Sequence, residues 1–86
     1  MPNQSIDPKD EAAWVRRMEL EKAVLEHLTE SGSARKWGAV YSHFYQNSKE
    51  EIGEVLFQLA HRQHILIDSD GTARITVLGL RELKAR

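Results

Sequence analysis

The spacing of apolar positions divides this chain into four helical segments and one stretch of strand. Leu20, Val24, Leu25 and Leu28 recur on one face at helical spacing, and Trp14, Val15 and Met18 form a second apolar patch ahead of them. Together they predict a first helix from Asp7-Pro8 to about Glu30. Asp7 is its cap, Pro8 its first residue and Asp10 sits in the first turn. Ser31-Gly32 supplies the left-handed residue that ends it. At 1.5 Å per residue such a helix is about 34 Å long, so its first half is expected to protrude. A second helix is predicted from Ser33, its cap, with Trp37, Val40, Tyr41 and Phe44 on one face. Gly38 weakens it by about 1 kcal/mol relative to Ala. Ser48 and Glu51 form a capping box that opens the third helix, whose Ile52, Val55, Leu56 and Leu59 face inward. The period then changes near His64. "HILID" and "ARITV" are rich in β-formers and flank the turn "SDGT", so residues 64–68 are expected to pair antiparallel with 73–77. "TVLGLRELKAR" closes the chain as a short helix capped by Thr76.

Eighty-six residues make one domain, here residues 8–86 behind a disordered N-terminus of residues 1–7. With 41% hydrophobic and 29% charged residues the composition is that of a soluble globular protein. No apolar run spans a bilayer, the polar acidic start is not a signal peptide, and a cytoplasmic location is expected. The chain has no cysteine, which excludes disulfides and thiolate chemistry. Net charge is -1, unevenly spread: residues 1–30 hold four Lys/Arg against seven Asp/Glu, and residues 31–86 hold eight against six. A dedicated nucleic-acid binder is usually more basic, because phosphate contacts supply most of its affinity.

"SKEEIGEVLFQLAHRQHILI" resembles the second turn helix and following strand of the winged helix-turn-helix family: a capped start, then Ile52, Leu56 and Leu59, then a strand of branched residues. "ITVLGLREL" is similar to the segment after the wing in many bacterial regulators of that family, with Thr76, Gly79 and Leu83 at the recurring spacing. The resemblance covers residues 19 to 86. It implies an α+β winged helix-turn-helix: three helices, a two-stranded β-hairpin wing and a short C-terminal helix. It also implies DNA binding in a small transcription regulator. Three features depart from the family pattern. Gln63 stands where the third helix usually ends in Gly. The positions that reach bases in DNA-binding members are Glu50, Gly53, Glu54 and Phe57. The wing tip, often basic, is Asp68-Ser69-Asp70.

Two functional readings follow. In the leading one, double-stranded DNA is bound through Arg35, Lys36, Lys49 and Arg74 at phosphates, with Arg62 extending the strip and Gln58 and His61 facing bases. The alternative is a winged helix reused as a protein-binding module, with Glu50, Glu54 and Phe57 as its contact surface. The glutamates also favour the start of the third helix through its dipole, and Phe57 is either a core residue reached by the wing or an anchor for a partner. Trp14, Val15 and Met18 are the expected contact of a homodimer, with Arg16 and Arg17 meeting Glu19 and Glu21 of the second copy, or else they fold back on Leu80 and Leu83. No cofactor is expected. Metal is not expected either, since His61 and His64 lack a ligand spacing and His27 and His43 lie apart in sequence. No phosphate loop or catalytic spacing is present, so an enzyme is not expected.

Overall fold

The computed structural model describes the backbone of residues 8–85 and side chains from Ala12 onward; the expected Asp7 cap and the N-terminal stretch 1–7 lie outside the described residues. In chain order the elements are helix α1 (Pro8–Glu30), strand β1 (Ala34–Lys36), helix α2 (Trp37–His43), helix α3 (Lys49–His61), strands β2 (Ile65–Ile67) and β3 (Thr72–Ile75), and helix α4 (Val77–Ala85). They form a small α+β domain of four helices and a three-stranded antiparallel sheet in the order β1-β3-β2.

The apolar stripes read from the sequence meet in one core. Leu20, Val24, Leu25 and Leu28 of α1 pack with Val40 of α2, Ile52, Val55, Leu56 and Leu59 of α3, Ile65 of β2 and Ala73 of β3. Helix α1 is the centre of the arrangement, touching α3, α4, β1 and β3. The third helix starts as expected: the Ser48 hydroxyl accepts the Glu51 N–H at 3.0 Å. The reciprocal half of that box is absent, because the Glu51 carboxylate takes Asn47 and Arg16 instead. Thr76 caps α4 by accepting the Gly79 N–H at 3.1 Å, and its hydroxyl donates to the Gln63 carbonyl at 2.6 Å. One threonine thus ties the end of α3 to the start of α4.

The sheet has one strand more than the two-stranded hairpin expected. Residues 34–36 were expected to open the second helix behind a Ser33 cap; they form β1 instead. Gly32 and Ser33 both lie at positive φ and swing the chain away from α1, after which Ser33 O accepts the Ile75 N–H and Trp37 N donates to Gly71 O. Arg35 pairs with Ala73 across the ladder. Helix α2 is therefore only seven residues long, and its cap position, Lys36, offers the helix no side-chain cap bond. The hairpin registers Ile65↔Ile75, Leu66↔Arg74 and Ile67↔Ala73. His64 contributes only its carbonyl, to Thr76 N, and Val77 belongs to α4, so the pairing is shorter than 64–68 with 73–77. Gly71, at φ +84°, closes the turn. It is the left-handed residue that a three-residue hairpin loop requires.

Both α1 and α3 end with the same pair of backbone bonds. Ser33 N donates to Leu28 O and Gly32 N to Thr29 O; His64 N donates to Leu59 O and Gln63 N to Ala60 O. Each is a Schellman ending, which demands a left-handed residue at its next-to-last position. Gly32 meets that demand without strain. Gln63, at φ +65°, does not, and a side chain there costs about 1 kcal/mol. Gln63→Gly is expected to raise unfolding stability by roughly 1 kcal/mol, measured by urea titration; a loss of stability would contradict this account of the helix end.

Candidate functional site

The basic residues expected to form one DNA-facing strip are not brought together as one. On the outer sheet face, Arg74 Nε lies 2.6 Å from an Asp68 carboxylate oxygen, whose hydrogen bond and charge hold the guanidinium more firmly in its charged form. Lys36 Nζ lies 3.8 Å from an Asp70 carboxylate oxygen and 3.4 Å from the Asp70 carbonyl. The Asp70 carboxyl is held below its ordinary range, first by the Thr72 hydroxyl and backbone N–H and then by Lys36. The acidic hairpin tip therefore neutralises two of the four expected phosphate contacts. Arg35 turns inward, its Nη1 2.7 Å from His27 Nε2. This follows from strand alternation, which puts Arg35 on the same side as its buried partner Ala73.

Two further expectations on α3 are corrected in the same way. Gln58, read as facing bases, is partly buried. It lines a groove of about 240 Å³ between α1 and α3 with Trp14, Arg17, Met18, Glu21 and Arg62. Arg62, read as extending the phosphate strip, is bound at 2.7 Å to Glu21, a carboxylate on α1 that is only 2% exposed. Lys49 and His61 remain exposed but stand at opposite ends of α3, about 18 Å apart at 1.5 Å per residue.

The acidic character of α3 has an intramolecular partner. Arg17 Nη2 lies 2.6 Å from Glu54 Oε1, and Arg16 Nη2 lies 3.3 Å from Glu51 Oε1. Both arginines had been expected to meet Glu19 and Glu21 of a second copy; they reach across to α3 of the same chain instead. Exposed pairs of this kind contribute up to about 1 kcal/mol each, but they set how α1 lies along α3. The first half of α1 is therefore engaged from Arg16 onward.

Two large rings stay in solvent on this side. Trp14 is 63% exposed and Phe57 66% exposed. Phe57 is thus not a core residue. Its ring stacks on that of His61 at 6.4 Å between centroids. Trp14 lies one turn before Arg17 and Phe57 one turn after Glu54, so the two rings flank that ion pair. Val15 is also exposed, whereas Met18 is partly buried in the groove beside Glu21. Trp14 lies beside Gln58 and Arg62 rather than against Leu80 and Leu83.

A second concavity, about 350 Å³, lies where α2 turns into α3. Gly38, Tyr41, Ser42, Tyr45, Asn47 and Lys49 line it, and among the described residues no carboxylate does. Apart from Lys49 none of these was singled out from the sequence as a contact; a pair of tyrosines four residues apart beside a helix start was the available signal. Among the described residues, no three His, Cys, Asp or Glu side chains are grouped to hold a metal ion. No described helix is long and apolar enough to cross a membrane. Compared with known proteins, the chain matches no family model, no curated protein and no solved structure.

Proposed function

We propose that this is a winged-helix module that works by protein contact, through the side on which α1 and α3 lie together. The element order, with one strand between the first two helices and the strand order β1-β3-β2, supports the winged-helix reading. One observation carries the protein-contact reading: Trp14 and Phe57 are both mostly exposed and flank an ion pair that neutralises the acid between them. Aromatic rings bordered by satisfied charge are what the centre of a protein interface uses. In this reading Phe57 and Trp14 are the anchors, Glu54 lies paired with Arg17 between them, Glu50 is at the rim, and a second copy of the chain is one partner, joined through Trp14 and Val15. The module acts in the cytoplasm, needs no cofactor and catalyses nothing.

DNA binding is the second reading, and the concavity beside Lys49 favours it. Two tyrosines, an asparagine and a lysine around a helix start suit a phosphate backbone. The two readings separate in paired measurements. In a titration against random duplex DNA, the log of affinity is expected to fall with log salt at a slope no steeper than about -2, because each phosphate contact contributes about -0.9. Solution mass is expected to rise above that of one chain at concentrations below about 1 mM, and Trp14→Glu with Phe57→Glu is expected to hold it at one chain. A salt slope of about -5 or steeper that Lys49→Ala reduces by about one, with a mass fixed at one chain, would replace the protein-contact reading by DNA binding.

A further inference from the structure

Three elements meet at two histidines that neither reading uses. His27, on the last turn of α1, is only 6% exposed. The His43 ring, from the last residue of α2, lies flat on it with centroids 3.7 Å apart and planes at 19°. Arg35 of β1 places Nη1 2.7 Å from His27 Nε2. A guanidinium has only donors, so Nε2 must be the acceptor and carries no proton. Phe44 meets both imidazoles edge-on, at 5.6 and 4.8 Å, and gives the stack an apolar neighbour.

We propose that this stack is an acid-sensitive latch that holds the C-terminal turn of α2 against α1 and β1 while His27 is neutral, and releases that turn when His27 takes up a proton. Protonation at Nε2 removes the acceptor for Arg35 and sets an imidazolium against a guanidinium. It also places that charge face-on to the second imidazole. The charged and titratable groups facing His27 are His43 from α2, Arg35 from β1 and Glu30 from its own helix. From β3 the residue opposite Arg35 is Ala73, and the buried face of α3 is apolar. Only Glu30 favours the charged ring. Burial, then His43, then Arg35 oppose it and hold the His27 pKa below its ordinary value. The turn that would be released leads from Ser42 to Tyr45 and Asn47 and forms one wall of the concavity beside Lys49. Acid would therefore reshape that concavity whatever binds there.

The sign of the linkage is set by the lowered value. Above pH about 6.5 neither state binds the proton and the latch is intact. As the pH falls through the ordinary value, the unfolded chain takes up a proton that the folded one refuses, so the unfolding constant rises, up to tenfold per pH unit for this one proton. It levels off once the folded His27 itself titrates.

The test follows the imidazole resonances of the full chain by NMR between pH 7.5 and 5 and measures amide protection factors across α2 and α3 at each end. His27 is expected in the Nδ1–H tautomer, titrating below 6.5, with protection at residues 40–45 falling at least tenfold more than at residues 52–59 on acidification. Urea unfolding of His27→Gln, which keeps an acceptor for Arg35 without a titrating ring, is expected to lose the tenfold step. A His27 that titrates at or above 6.5 would overturn the proposal. So would protection lost equally from α2 and α3, or an acid dependence that His27→Gln leaves unchanged. The NMR readings are made on the unaltered chain and stand even if the variant fails to fold. They are also independent of whether DNA or protein is the partner.

Discussion

Replacing Gly79 by Ala is expected to remove about 3 kcal/mol of stability. A Cβ built on Gly79 stands 2.2 Å from the His64 carbonyl oxygen, 3.1 Å from its carbon and 2.9 Å from Ile75 Cγ1. The carbonyl cannot give way freely, since it accepts the Thr76 N–H that ends the hairpin. Helix α4 would have to lift from the hairpin or surrender its Thr76 cap. A chain of this length holds about 4–13 kcal/mol in total, so the loss is expected to take between about a quarter and three quarters of it. Gly38 supplies the control. It also sits in a helix, but nothing lies within 4 Å of a Cβ placed there. Gly38→Ala is therefore expected to gain roughly 0.5–1 kcal/mol from helix propensity alone. Thermal and urea unfolding of the two variants side by side make the comparison; a Gly79→Ala domain as stable as the parent would refute the close approach of α4 to the hairpin.

Arg62→Ala is expected to cost about 2–3 kcal/mol, because it strands the Glu21 carboxylate. Glu21 is buried on α1, and Arg62 Nη1 is its partner at 2.7 Å. The Arg62 side chain is itself partly exposed, so water enters when it is removed and the loss falls short of that for a fully enclosed pair. The double variant Arg62→Ala with Glu21→Leu removes both charges and leaves an apolar side chain beside Met18. It is expected to return to within about 1 kcal/mol of the parent. Urea unfolding of the two single variants and the double closes the cycle. If the double variant is as unstable as Arg62→Ala, the buried carboxylate is not the cause.

The site residues were less legible than the fold, and the reason differs from residue to residue. Glu50 and Glu54 were placed on the outward side of α3 by helical period, and they are exposed there; Phe57, at the border of that side, was read first as core, yet it too is exposed. Gln58, read as facing outward, is partly buried at the border with α1. Its neighbours on α1, from Trp14 to Glu21, are 37 to 44 residues away in sequence, and period says nothing of what packs beside a helix. Arg35 was read as a helix-start phosphate contact; it lies in a strand, where alternation aims it at His27. Glu51 and Glu54 of α3 are paired with Arg16 and Arg17 of α1, 35 and 37 residues away, a separation that periodicity does not bridge.

What the chain determined by itself were the features that rest on neighbours a few residues apart: the core stripes of α1 and α3, the caps at Ser48 and Thr76, and the turn that ends in Gly71. Each depends on helical or alternating period, or on one side chain reaching a backbone group within three residues. Tertiary structure alone decided that Ala-Arg-Lys becomes a strand, since none of the three is β-branched and only the unpaired edge of β3 makes them extend. It decided too that Gln63 takes a left-handed conformation its side chain disfavours, because the end of α3 and the start of α4 share Thr76. And it decided which charges are left for a partner, because an ion pair forms between groups that meet in space, and the sequence separates Arg17 from Glu54 by 37 residues.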